Sequence, residues 1–129
     1  MKTLTVTIPI PPAECSPNAR CHWRTKARAV KNYRLTCGLL ACTEARPEKP
    51  WKRARVQAAF YVKSHQGMRS DGDNRLASLK AAFDGLRDAG IIADDSGLTH
   101  DPITLAQDKA RPRVELTITE LAEPKAVQE

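Results

Sequence analysis

Two carboxylates separated by one glycine stand near the middle of the chain, in the run "SDGDN" at residues 70–74. Asp71 and Asp73 carry hard oxygen ligands of the kind that Mg²⁺ and Mn²⁺ prefer, and a second acidic pair follows at Asp94 and Asp95. If the fold gathers these carboxylates, their mutual repulsion requires a cation, and a divalent metal that lowers the pKa of a bound water can hydrolyse phosphodiesters. The plainer interpretation makes Asp73 a helix cap and Asp71 a charged loop residue.

The net charge of +6 is distributed unevenly along the chain. Residues 1–69 carry fourteen Lys or Arg against three Asp or Glu, whereas residues 70–129 carry seven against twelve. The run 16–43 contains no acidic residue, so it is either a solvated face or a surface that binds phosphate groups. Interleaved side chains capable of hydrogen bonding and stacking favour nucleic acid. The residues concerned are Asn18, Arg20, His22, Trp23, Arg24, Lys26, Arg28, Lys31 and Arg34.

The length of the chain predicts one small domain, because 129 residues suffice for a single core. Alternating apolar and polar residues predict strands, and apolar residues spaced by three and four predict two main helices. The predicted class is α/β in the broad sense that includes α+β, with a mixed β-sheet over residues 1–120 in the order β-α-β-α-β-β. The tail at 121–129 is expected to be disordered. The predicted elements are strands at 3–8 and 56–62, helices at 26–45 and 74–89, and a closing hairpin of strands at 103–107 and 114–119.

The chain is expected to be a cytoplasmic protein with reduced cysteines. No stretch reaches the length of a membrane span, and the first residues alternate in polarity where a secretory signal would be continuously apolar. Reduced thiols are the usual state in the cytoplasm. A zinc site is the alternative, but spacings of six and five residues differ from the short pairs typical of structural zinc. The four cysteines are Cys15, Cys21, Cys37 and Cys42.

The sequence resembles the RusA-type Holliday-junction resolvases of bacteria and their phages and prophages. The resemblance rests on "SDGDN" followed by "LKAAFDGLRDAGIIADDS" and on the closing "RVELTITE". It extends more loosely to "TVTIPIPP" and "SPNARCHWR" near the start, and so spans nearly the whole chain.

The resemblance implies a homodimer of small α/β domains that binds four-way DNA junctions and makes paired nicks in strands of like polarity. It implies Mg²⁺ as cofactor, with Mn²⁺ able to substitute, and it implies neither a membrane nor a small-molecule cofactor. The metal-binding and catalytic acids would be Asp71, Asp73 and Asp95, and the essential lysine would be Lys80. The DNA-binding residues would be Asn18, Arg20, Arg24, Lys26 and Asn74.

The lysine departs from the family pattern, in which it follows the last acid of the D-x-D-N motif by four residues. Here seven residues separate Asp73 from Lys80. On one continuous helix, Lys80 would keep the face of Asp73 but lie about 10 Å farther along the axis. Arg75 is the nearer substitute for the charge-stabilising role.

Five further residues have more than one interpretation. Asn74 either orients a carboxylate, contacts DNA or is an ordinary polar residue of a first helical turn. Trp23 either stacks on an unpaired base or anchors the loop. Asp84 follows Lys80 by four residues, and we interpret this i,i+4 pair as structural rather than functional. His100 is either a general base or, as the favoured interpretation, a surface residue, and Phe83 is most simply a core residue.

The expected function is a metal-dependent endonuclease that resolves branched DNA in recombination and repair. Two alternatives stay open at this point: a phage-type nuclease that cuts forks and flaps with broad specificity, and a junction-binding module without catalysis. The expected setting is a bacterial cell, with the gene belonging to a host, a prophage or a phage.

Overall fold

The described residues form a five-stranded mixed β-sheet and three α-helices. The structure, a computed structural model, describes residues 2–43, 46–64 and 72–122, and the side chains of residues 72–74 lie outside that description. Short 3-10 helices at Ala13–Cys15 and Asp95–Gly97 precede α1 and β3. The strands are β1 (Thr3–Ile8), β2 (Ala54–Val62), β3 (Leu98–His100), β4 (Thr104–Gln107) and β5 (Arg113–Glu120), and the helices are α1 (Trp23–Cys42), α2 (Gly72–Ser78) and α3 (Lys80–Asp88).

The sheet has the order β1-β5-β2, with β3 and β4 one after the other along the outer edge of β2. β5 runs antiparallel to both of its neighbours, whereas β3 and β4 run parallel to β2. Leu98 pairs with Ala54 at the start of β2, and Thr104 pairs with Ala59 farther along it. The predicted class, a mixed sheet with helices in one small α+β domain, is confirmed.

The predicted closing hairpin is wrong. β4 pairs with β2, and β5 lies between β1 and β2 instead of beside β4. The reason is burial: Val114, Leu116 and Ile118 are fully buried, so β5 gains more as a central strand than at an edge. The chain leaves β4 through a turn in which Asp108 Oδ1 accepts hydrogen bonds from the backbone N–H groups of residues 110 and 111.

The predicted helix at 74–89 is two helices, interrupted at Leu79. The Leu79 N–H bonds to the carbonyl oxygen of Leu76, a tight three-residue turn, and the Leu79 side chain is buried. Lys80 therefore begins a separate helix, and the single continuous helix that the sequence predicts from Asp73 to Lys80 does not form.

One face of the sheet is buried against α1 and α3 in a single hydrophobic core. Every second residue of β2, from Ala54 to Val62, is buried, while the residues between them are partly exposed. The two helices approach closely where Gly38 meets Gly85, since a Cβ added at Gly38 would lie 3.3 Å from the Gly85 oxygen. Among the helices of the described ranges, none has the length and apolar content needed to cross a membrane.

Candidate nucleic-acid interface and acidic segment

The predicted DNA-binding residues of the basic run lie in the loop before α1 and in its first turns. His22 caps α1, because its Nδ1 accepts a hydrogen bond from the Arg24 N–H at 3.2 Å. Lys26 Nζ donates to the Ser16 carbonyl oxygen at 3.2 Å, and Ser16 Oγ accepts from the Asn18 N–H at 3.3 Å. The backbone N–H groups at the start of a helix favour an anion, and the first turn of α1 has no acidic side chain that would supply one. Ser16 therefore links Asn18 to Lys26, while Arg20 lies in the same loop and Arg24 in the first turn of α1.

A groove of about 340 Å³ joins this loop to the start of α3. Lys26, from α1, and Lys80, from α3, both line it. Lys80 is exposed, and Lys26 is half-buried with its ammonium group on the Ser16 carbonyl oxygen. Two lysines that the sequence assigns to different roles therefore share one groove. Its other lining residues are Cys15, Pro17, Val30, Ala77, Ser78, Ala81 and Asp84.

A second groove, of about 180 Å³, adjoins the first at Ser78. Arg75 lines it, and the Arg75 guanidinium lies over the Phe60 ring, 5.2 Å from its centroid. Burial lowers the pKa of Arg75 from its ordinary value, although an arginine stays protonated at neutral pH. The three cations of the adjoining grooves are therefore Lys26, Lys80 and Arg75.

The D-x-D segment leads directly into these grooves. Asp71 lies outside the described residues, and Asp73 and Asn74 lie in the first turn of α2, with their side chains outside the description. The helix begins at Gly72, so Asp73 is its second residue and not its cap. Farther along the same helix, Arg75 and Ser78 line the grooves.

Asp94 and Asp95 lie at the opposite end of β2. Asp95 begins the 3-10 helix that precedes β3, and β3 pairs with the first residues of β2. Phe60, which lies beside Arg75, follows Ala54 by six residues on β2, a distance of about 20 Å along the strand. The described part of the chain therefore does not place Asp95 at the grooves. Within the same described ranges, no group of three or more His, Cys, Asp or Glu side chains is arranged to hold a metal ion.

Asp94 has its own local partners. Its Oδ2 accepts a hydrogen bond from Ser96 Oγ at 3.0 Å, and its Oδ1 lies 3.8 Å from Arg87 Nη1 at the end of α3. Hydrogen bonds with Asp95 and Ser96 hold the pKa of Asp94 below its ordinary value. These contacts stabilise the turn that links α3 to β3.

The other residues that the sequence singled out have structural partners. Asp84 lies 4.0 Å from Arg34 Nη1, so it pairs with α1. The His100 ring packs at 5.0 Å against the ring of Phe83, which is buried as predicted. His100 thus belongs to the β3 edge of the sheet, away from the grooves.

The four cysteines are free thiols, as the sequence predicts. Cys15 and Cys37 are buried, and Cys21 and Cys42 are exposed. Burial raises the pKa of Cys37 to about 12, so this thiol stays protonated at neutral pH.

Sequence reasoning missed two residues of the site. Ser16 orders the basic loop through its hydroxyl and carbonyl oxygens, and the "SPN" run is a turn signal that could have indicated it. Ser78 joins the two grooves, and no sequence signal indicates it, because its position depends on the interruption at Leu79.

Comparison with known proteins finds a relative in Xylella fastidiosa. No family model matches the chain. A protein of Xylella fastidiosa (strain Temecula1), described as an uncharacterized protein, is 30% identical over 123 residues, covering 89% of this chain and 74% of that protein. The chain belongs to the same family as this Xylella fastidiosa protein.

Proposed function

We propose that the protein is a metal-dependent, structure-specific endodeoxyribonuclease that resolves four-way DNA junctions by paired nicks. The observation that carries the proposal is the groove that Lys26 and Lys80 share beside α2. The two ammonium groups attract a phosphodiester backbone, whereas the rest of the lining is largely apolar and includes Asp84. The first turn of α2 carries Asp73, so the groove adjoins the segment with the D-x-D acids. In this proposal, a polyanion held at the groove is presented to the segment whose acids hold a divalent metal.

In this proposal the residues divide into holding and reacting groups. Asn18, Arg20, Arg24 and Lys26 contact phosphates and position the DNA without reading its sequence, and Asn74 either joins them or orients an acid. Asp71 and Asp73 hold Mg²⁺ or Mn²⁺, which supplies Lewis-acid stabilisation of the charge that develops on the phosphate. Lys80 stabilises the same charge from the groove.

Two roles in the family pattern have specific tests in this chain. Arg75 can replace Lys80 as the charge stabiliser, because it lies on α2 and lines the adjoining groove. The resemblance adds Asp95 as a third metal ligand, yet Asp95 lies toward the other end of β2. Single substitutions of Lys80, Arg75 and Asp95 therefore separate the three assignments by their effects on cleavage.

The proposed homodimer has a candidate surface on the C-terminal half of α1. Residues 35–43 contain no charged side chain, although the chain as a whole is basic. Leu35 and Leu39 are 60% and 61% exposed and flank a groove of about 170 Å³ that also contacts Gly38. A two-fold contact of antiparallel helices would insert leucines of each copy into the groove of the other and keep the basic N-terminal halves apart. Two equivalent sites would then face a two-fold junction.

A junction-binding module without catalysis is the second candidate. The position of Asp95, about 20 Å along β2 from the Arg75 groove, favours it, because it leaves fewer acids of one chain near the DNA surface. A fork and flap nuclease would use the same groove and is distinguished by its substrates.

The test is a panel of end-labelled DNA substrates: a four-way junction, a fork, a flap and a plain duplex, each with Mg²⁺, with Mn²⁺ and with a chelator. We expect metal-dependent symmetric nicks in the four-way junction and little cutting of duplex. Equal cutting of forks and flaps would replace the resolvase with a broad branch nuclease. Tight binding without products at any metal concentration would favour the binding module.

The proposed setting is the cytoplasm of a bacterial cell, with a host, prophage or phage gene.

A further inference from the structure

Trp23 is the most exposed large apolar side chain in the described part of the protein. It is 68% exposed, whereas Trp51, the other tryptophan, is 5% exposed and belongs to the core. Only 5% of the chain is aromatic, so few large aromatic side chains are available for the core, and an exposed indole adds nothing to it. The structure does not show the loop anchor that was one interpretation of Trp23, and an exposed large aromatic indicates a binding role.

The neighbours of Trp23 fix its ring and give it a cationic setting. The His22 ring stacks on it, with centroids 5.7 Å apart and planes 28° apart. The Arg24 guanidinium lies 5.2 Å from the Trp23 ring centroid. His22 is itself held by the hydrogen bond that it accepts from the Arg24 N–H. The indole is therefore partly ordered before a ligand arrives, which lowers the entropy cost of binding.

The ligand that fits this arrangement has both a flat apolar ring and a negative charge. Exposed aromatics among cations bind single-stranded nucleic acid, because bases stack on the ring while phosphates contact the cations. The run 16–43 has six Lys or Arg and no acid to repel a phosphate. Lys26 lies three residues after Trp23 on α1, less than one helical turn away, and reaches the groove shared with Lys80.

We propose that Trp23, supported by His22 and Arg24, is a stacking platform for one unpaired DNA base whose flanking phosphates contact the basic loop. The inference deepens the proposed function and rests on it for DNA as the ligand. It adds that the protein selects DNA with an unpaired base near the branch, which a fully paired duplex does not offer.

The test uses the two tryptophans as reporters. Wild type, Trp23→Leu and Trp23→Phe are titrated with oligothymidylate, with a blunt duplex and with inorganic polyphosphate, a polyanion without bases, while tryptophan fluorescence is recorded. The affinities of all three proteins for oligothymidylate and for duplex are measured separately, by the fluorescence anisotropy of dye-labelled DNA, because the variants lack the Trp23 reporter. We expect oligothymidylate to quench wild type and to leave the buried Trp51 signal of Trp23→Leu unchanged. The affinity of Trp23→Leu for oligothymidylate should fall by roughly 5- to 150-fold, the range for one stacked base, and Trp23→Phe should retain most of it. Duplex affinity should change by less than about twofold, because phosphate contacts dominate there.

The controls separate stacking from charge and from catalysis. Polyphosphate should bind without quenching, and quenching by polyphosphate equal to that by oligothymidylate would overturn the proposal. Equal affinity of Trp23→Leu and wild type for oligothymidylate would also overturn it. If wild type cuts no branched DNA but shows the stacking signature, the endonuclease proposal fails and the platform stands. If wild type cuts junctions and Trp23→Leu matches it in quenching and affinity, the platform proposal fails and the endonuclease proposal stands.

Discussion

A methyl group added at Gly85 tests the contact that holds the two helices of the groove together. Lys26 lies on α1 and Lys80 on α3, so the separation of these helices sets the width of the groove. A Cβ at Gly85 would lie 2.7 Å from the Arg34 carbonyl oxygen and 2.9 Å from the Gly38 nitrogen, both backbone atoms. Reaching the 3.4 Å of ordinary contact from 2.7 Å requires the helices to separate by roughly 0.7 Å. Overpacking of this kind costs about 1–3 kcal/mol of stability.

Gly38→Ala is the matched control for Gly85→Ala. Both glycines lie in helix interiors, so both variants gain the same preference for alanine, about 1 kcal/mol. The nearest atom to a Cβ at Gly38, the Gly85 carbonyl oxygen, is 3.3 Å away, so this variant requires a smaller movement than Gly85→Ala. We therefore expect Gly85→Ala to have a free energy of unfolding about 1–3 kcal/mol below that of Gly38→Ala, a shift on the order of 1 M in the urea midpoint. Equal midpoints, or a higher midpoint for Gly85→Ala, would refute the packing argument.

Three further predictions concern charge, pH and assembly. Lys26→Ala should reduce the slope of log binding constant against log salt by about 1, whereas Lys52→Ala, at an exposed residue just before β2 and so at the Asp95 end of that strand, should leave it unchanged; equal slopes for the two variants in gel-shift titrations would contradict the interface. Hydrogen bonds from Arg34, at 2.7 and 2.8 Å, lower the pKa of Asp88, so this stabilisation is present above the unfolded-state pKa of about 3.9 and is lost as the pH falls through the folded-state pKa. Asp88→Asn should therefore lose less stability than wild type on acidification. Urea unfolding at several pH values tests this, and an equal fall in the free energy of unfolding of the two proteins would refute it. Leu39→Glu should convert the proposed dimer to a monomer in sedimentation velocity, and an unchanged sedimentation coefficient would exclude this face as the dimer surface.

The sequence predicted the elements whose signal is local. β1 occupies the predicted residues 3–8, and α1 and β2 begin within a few residues of their predicted starts, because alternation and three-four spacing are properties of neighbouring residues. Strand pairing is decided by residues distant in the chain. The central place of β5 depends on its burial between β1 and β2, and the order of elements alone does not reveal it.

The candidate site was predictable in part for the same reason. Charge along the chain indicated the basic loop, and "SDGDN" indicated the acidic segment. The meeting of Lys26 and Lys80 required the packing of α1 on α3, and the role of Ser78 required the interruption at Leu79. The argument from the spacing of Asp73 and Lys80 does not apply, because it assumes one continuous helix where the chain forms two.

The endonuclease proposal is tested most directly by one comparison of cutting with binding. An end-labelled four-way junction is incubated with Mg²⁺ and wild type, Asp73→Asn or Asp101→Asn, a control at an exposed ion pair with Arg55, and the same samples are examined by gel shift. We predict symmetric nicks by wild type and Asp101→Asn, and binding without nicks by Asp73→Asn. Nicking by Asp73→Asn at the wild-type rate, or no nicking by any of the three proteins, would contradict a metal-dependent nuclease built on the D-x-D segment.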